Sequence, residues 1–163
     1  MVDGAEHVCL AEKIREVGRG RLNFYGSRQE EKEALFNCAL RGTQDKSGGR
    51  NGFNKGVIID HAKTSMVGYI TFYLGPNNCA WWSTYVFKCT SFRGEPESTN
   101  EMQNPTWFKV SALPYSRMQG GDVLFLKPIL EEKQRVQGHI HYIDEDTVLV
   151  AKHSIEVIRT TST

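Results

Sequence analysis

The sequence lacks most of the features that would assign it to a special class at sight. Its four cysteines, Cys9, Cys38, Cys79 and Cys89, form no Cys-x-x-Cys pair, which argues against a zinc ribbon or a dithiol redox motif. Reduced thiols serving as small buried hydrophobes are expected, in a cytoplasmic or nuclear setting. No apolar segment resembles a signal peptide or a membrane span, so no membrane partner is expected. Charge of one sign is also missing: the formal net charge is +1, and no specific nucleic-acid signal follows from it. Internal repeats and low-complexity runs are absent as well. What remains is an ordinary globular composition, 163 residues with 39% hydrophobic and 24% charged, enough to expect one domain with its own core.

Along the chain, HVCLAEK reads as a strand, with Val8, Leu10 and the stem of Lys13 alternating with their neighbours. Lys13, Arg15, Arg19, Arg21 and Arg28 follow, interrupted by Gly18 and Gly20. Such a segment suits either a phosphate cradle or a solvated basic loop, and Gly18-x-Gly20 falls short of a dinucleotide fingerprint. From Glu33 to Lys46, Ala34, Leu35, Cys38, Ala39 and Thr43 recur at helical spacing, with Glu30, Glu31 and Glu33 placed to favour the helix N-terminus. Gly42 inside that helix is expected to cost about 1 kcal/mol relative to Ala. A loop is expected over 48–56, strands over 57–59 and 67–74, a turn over 75–78, and a returning strand over 80–90. Its adjacent Trp81 and Trp82 are expected on opposite faces, one of them in the core. Glu95, Glu97 and Glu101 lie in a polar loop before a short strand over 107–110. A helix is expected over 123–134, with Asp122 as its N-cap and Leu124, Phe125, Ile129 and Leu130 on its apolar face. GHIHYI and TVLVA read as a closing hairpin turned at 144–146. His139 and His141 share a strand face there, and without a third ligand they are read as structural.

The stretch Ser27 to Gly48, SRQEEKEALFNCALRGTQDKSG, is similar to a Nudix box. That pattern runs Gly, five residues, Glu, seven residues, Arg-Glu-aliphatic, one residue, Glu-Glu, one residue, Gly. Glu33, Arg41 and Gly48 stand at matching positions. Ser27 replaces the first Gly, Gly42 the Glu after the Arg, and Asp45 and Lys46 the last two Glu. Together with LAEKIREVGRGRLNFYG, VGYITF, ESTNEMQNPTWFKVSALPYSRMQGGD and LFLKPIL, the chain resembles the MutT-homologue branch of the Nudix superfamily, the oxidised purine nucleoside triphosphate diphosphatases. The resemblance spans about residues 8–157. It implies an α/β fold, an α/β/α sandwich around a mixed sheet, acting on purine nucleotides with Mg2+.

The resemblance also implies site residues. Asn23 stands where the family hydrogen-bonds the purine, and Asp122 at one of two acidic positions reading its edge; Gly121 stands at the other, and Gln119 at an aromatic stacking position. Lys13 matches a phosphate-side lysine, and Glu101 a late metal-associated glutamate, so Asp45 and Glu101 are the candidate metal residues. Hard Mg2+ needs carboxylate oxygens, and residues at i and i+4 share a helix face, so Gly42 and Lys46 leave that face without two of its acids. The family has a further strand ahead of HVCLAEK; its absence would leave a sheet edge for a protein partner. Three functions are therefore expected alternatives: a catalytically impaired pseudoenzyme binding a nucleotide or a partner, an active 8-oxo-purine-type diphosphatase with a non-standard Mg2+ site built from Glu30, Glu31, Glu33, Asp45 and Glu101, and a structural subunit of a larger complex.

Overall fold

The structure, a computed structural model, describes residues 6–49, 56–75, 79–144 and 149–159. In chain order the elements are β1 (His7–Lys13), β2 (Leu22–Asn23), α1 (Leu35–Lys46), β3 (Ile58–Ile59), β4 (Thr64–Leu74), β5 (Cys79–Cys89), β6 (Phe92–Arg93), β7 (Met102–Lys109), α2 (Asp122–Leu130), β8 (Val136–Tyr142) and β9 (Val150–Val157). They fall into two compact units, Met1–Ser65 with Lys88–Leu113, and Met66–Phe87 with Pro114–Thr163.

In the first unit β1 is the middle strand of the order β2-β1-β7, antiparallel to both neighbours. Val8, Cys9, Leu10 and Ala11 are all fully buried, so β1 is covered on both faces and the expected in-out alternation does not apply. β1 lies between two strands. β2 matches it only at Ala11 and Glu12, whereas β7 runs along it from His7 to Lys13. β3 pairs with β6. α1 starts two residues later than expected, at Leu35 after Ala34, with no acidic residue in its first turn. Glu33 is drawn off instead to the Arg41 side chain. Its buried positions are Cys38, Gly42 and Thr43. The expected loop over 48–56 lies outside the described residues from 50 to 55.

The second unit holds the order β5-β4-β8-β9. β4 runs parallel to β8, and β8 antiparallel to β9 as the hairpin pattern implies, which makes the sheet mixed; the hairpin turn over 145–148 and the turn over 76–78 lie outside the described residues. Ile70, Phe72, Ile140 and Tyr142 form the core with Phe125, Leu126, Ile129 and Leu130 of α2. Gly68 allows α2 its close approach to β4, because a Cβ there would lie 3.2 Å from Ile129 Cδ1.

α2 departs from expectation in three ways. It ends at Leu130, two residues after Pro128, which lies inside it. Leu126 takes the buried place expected for Leu124. Gly121, in the left-handed region at φ 92°, is the N-cap, and Asp122 is the first helical residue. Its carboxylate reaches back to accept from Gln119 N–H at 3.2 Å. The two tryptophans differ as well: both are half-buried, and their ring centroids lie 3.8 Å apart. β5 is the edge strand, so neither indole has a neighbouring strand on that side to hold it to its own face.

Candidate functional site

The clamp on α1 begins with Arg41. Its guanidinium donates from Nε to Glu33 Oε1 and from Nη2 to Glu33 Oε2, each at 2.8 Å, from Nη1 to Ser27 Oγ at 3.0 Å, and from Nη2 to the Arg28 carbonyl at 2.9 Å. Glu30 joins as an ion pair at 3.3 Å. A planar fork binding a carboxylate with two parallel bonds is the strong form of this contact. The bonds from Arg41 hold the Glu33 carboxyl down at about 2. One side chain thus ties the 27–33 segment to the helix.

The same segment explains Gly42. A Cβ at that position would lie 2.6 Å from Ser27 Cβ, 2.8 Å from Ser27 N and 2.9 Å from Gly26 C. The backbone of residues 26 and 27, with the Ser27 side chain, therefore passes against Gly42, and the helix accepts only glycine there. The expected helix-propensity penalty of Gly42 is outweighed by this packing.

Beside the clamp lies a cleft of about 540 Å³, lined by Arg28, Asp45, Lys46, Glu97 and Glu101 among others. Lys46, the last residue of α1, places Nζ 3.0 Å from Glu101 Oε2. Arg15 binds the other oxygen, Oε1. Glu101 is held in place by its backbone: Ile14 N–H donates to its carbonyl at 3.0 Å, and its own N–H donates to Thr99 Oγ1 at 3.2 Å. The Thr99 hydroxyl also lies 3.4 Å from the Lys46 carbonyl. Burial raises the Glu101 pKa, but the two cations outweigh it and the net shift is downward. Lys13 is pushed down, first by burial and then by Lys46, with Arg28 adding to it against Glu16 and Glu101. Lys46 and Arg28 thus act on Lys13 as like charges, with Glu16 and Glu101 opposing them.

Among the residues expected in a metal site, Asp45 and Glu101 line this cleft while Glu30 and Glu33 turn to Arg41. Glu31 is exposed beside Lys32. Among the described residues no group of three or more His, Cys, Asp or Glu is disposed to hold a metal ion. The donor set does not fit Mg2+ as it stands, because the Glu101 oxygens face a guanidinium and an ammonium, and a second cation there meets Lys46 directly. Arg15, Glu16 and Glu97 were not singled out as site residues by sequence. Arg15 stood in the basic run, but nothing local links it to a carboxylate 86 positions away.

The residues implied in base recognition fall in different units. In the first, Asn23 ends β2 and its Oδ1 accepts from Phe24 N–H at 2.8 Å. In the second, Asp122 is 9% exposed. Near it Tyr142 donates to the Gly120 carbonyl at 2.6 Å and stacks on Phe72, centroids 5.8 Å apart with ring planes 3° apart. Burial and then the Asp122 charge push the Tyr142 hydroxyl up. The Gln119 amide nitrogen is buried without a hydrogen-bond partner. Gly121 cannot readily carry an acid: besides its φ of 92°, a Cβ there would lie 3.1 Å from Val150 Cγ2 and 3.2 Å from Ile140 Cγ2.

The chain is 28% identical over 145 residues to the oxidized purine nucleoside triphosphate hydrolase of Mus musculus, covering 88% of this chain and 84% of that protein. The fold superposes on the crystal structure of the mutator MutT protein of Bacillus halodurans with a TM-score of 0.75, over 95% of this chain and 92% of that one, at 19% identity. The chain has the fold of that MutT protein, the Nudix fold. No protein-family model matches it. This Nudix-fold protein has no described helix long and apolar enough to cross a membrane.

Proposed function

We propose that this Nudix-fold protein binds a purine nucleotide and is catalytically impaired, with Lys46 supplying the positive charge that a divalent cation supplies in a hydrolase. The observation that carries this reading is the Lys46 ammonium, 3.0 Å from Glu101 at the end of α1. An ammonium is a point-charge phosphate binder with three donors, and Lys13, Arg15 and Arg28 add charge around it. It lacks the property needed for hydrolysis, lowering the pKa of a bound water. The similarity to the oxidized purine nucleoside triphosphate hydrolase supports a purine nucleotide as the ligand.

The test is calorimetric titration of purine nucleoside di- and triphosphates, oxidised forms included, in EDTA and in Mg2+, alongside assay of pyrophosphate and phosphate release. Binding that survives EDTA, falls at least tenfold in Lys46→Glu, and is accompanied by no turnover is expected. Metal-dependent turnover sinks the reading.

A second reading is an active 8-oxo-purine-type diphosphatase, supported by the four carboxylates, Glu16, Asp45, Glu97 and Glu101, that line the same cleft. It requires Mg2+-dependent turnover abolished by Asp45→Asn or Glu101→Gln.

A further inference from the structure

We propose that Glu101 is a built-in competitor for the anion site, setting a charge threshold that admits terminal phosphate groups and excludes singly charged phosphodiesters. The inference rests on the phosphate-binding reading of Lys46 and says which phosphates the site takes.

Glu101 lies between two cations from distant stretches, Lys46 on α1 and Arg15 in the β1–β2 connection, with one carboxylate oxygen on each. That is the arrangement a phosphoryl group adopts between an ammonium and a guanidinium. Because the Glu101 backbone is pinned to Ile14 and Thr99, its carboxylate leaves only by side-chain rotation, into a cleft already open to solvent. Arg15 is 47% exposed, Lys46 25% and Glu101 22%, so the triad is partly solvated and its ion pairs are exchangeable rather than locked.

The charges decide what can displace the carboxylate. An incoming group must out-compete a tethered anion of one unit charge. A terminal phosphate carries about −1.5 to −2 at pH 7 and offers three acceptor oxygens. A diester, like the backbone of a nucleic acid, carries one charge and gains nothing over Glu101. Lys46 and Arg28, which both act as like charges on Lys13, add further preference for the more highly charged ligand. The ligand class is therefore an anion ending in a phosphomonoester or pyrophosphate group, bound without metal.

Inorganic pyrophosphate and dimethyl phosphate, titrated calorimetrically in EDTA at pH 7.5, serve as the two probes. Wild-type protein is expected to bind pyrophosphate and to discriminate against dimethyl phosphate. Glu101→Gln should tighten pyrophosphate about tenfold or more, the effect of removing one charge-assisted hydrogen-bonded competitor, and should tighten dimethyl phosphate by the same factor, because a tethered competitor lowers the affinity of every ligand by one common closed fraction, so that the weakly bound diester comes within reach of detection. If Glu101→Gln melts early, Glu101→Ala is titrated in the same way, with added acetate expected to restore the competition. Unchanged or weaker pyrophosphate binding in the folded Glu101 variant overturns the inference. Lys46→Met separates it from the underlying reading: loss of pyrophosphate binding there keeps that reading whatever Glu101 does, and undiminished binding removes both.

Discussion

Ser27 and Gly42 compete for one volume: a Cβ on Gly42 would lie 2.6 Å from the Cβ of Ser27. The Nudix pattern places a glycine at the first position and a glutamate at the second. Here two of the three nearest atoms, Ser27 N and Gly26 C, belong to the backbone, so the close approach of the loop, with the Ser27 side chain adding to it, fixes glycine at position 42. An acid returned to position 42 alone has nowhere to begin.

Gly42→Ala is accordingly expected to destabilise by about 1–3 kcal/mol, the usual range for overpacking, although alanine is the better helix former. Ser27→Gly should relieve only the part due to the Ser27 side chain, since Ser27 N and Gly26 C stay within 2.9 Å of the added Cβ, so the double variant should remain less stable than Ser27→Gly alone. Denaturant unfolding of the four proteins measures this. A double variant as stable as Ser27→Gly would place the whole clash on the Ser27 side chain.

A consequence concerns attempts to restore a metal site. Gly42→Glu/Lys46→Glu should fold poorly, and adding Ser27→Gly should not restore it, because Ser27 N and Gly26 C lie 2.8 Å and 2.9 Å from the Cβ position. Thermal melts in steps of added Mg2+ check this, since a midpoint that rises with Mg2+ by mass action would mean that the triple variant folds and binds the metal.

Restoring the second acid of the family at Gly121 should likewise fail. Gly121→Asp must adopt φ near 92° with Val150 and Ile140 within 3.2 Å of its Cβ, and the left-handed conformation alone costs roughly 1–2 kcal/mol. The melting temperature should drop, and purine affinity should not improve.

The Arg41–Glu33 clamp has a pH signature. Glu33 sits at about 2 in the folded chain, against about 4.3 for an ordinary glutamate. A depressed carboxylate stabilises the fold above its unfolded pKa, and that contribution is lost as pH falls from about 4.3 towards about 2. The stability difference between wild type and Glu33→Gln should therefore be constant at neutral pH and shrink through this window. A difference that persists unchanged below pH 3 would place the Glu33 contribution elsewhere than in its charge.

Tyr142 is 1% exposed and donates to Gly120. Tyr142→Phe keeps the stack on Phe72 and leaves a carbonyl with one partner fewer, so a loss of about 1 kcal/mol is expected by chemical denaturation. A much larger loss would assign the residue a role beyond this bond.

Much of the fold was legible because its signals are local. The two-residue period marks β4, the helical spacing of Cys38 and Thr43 marks α1, and turn residues separate β8 from β9, which runs on to Val157, six residues beyond TVLVA. Errors fell where a neighbour intervened. Val8 to Ala11 of β1 are buried without alternation, because packing over both faces decides burial there; α1 lost its acidic first turn where Glu33 binds Arg41; α2 ends at Leu130, four residues short of Gln134. The damaged acidic pattern was also readable, since it is a matter of residue type and spacing. Sequence by itself determined the elements, the MutT-like pattern and the charge placed at position 46. Only the tertiary structure decided that Gly42 answers Ser27, and that Arg15, Lys46 and Glu101 meet. Such relations join residues separated by many positions through packing and electrostatics, and these act on distance in space, which no local periodicity encodes.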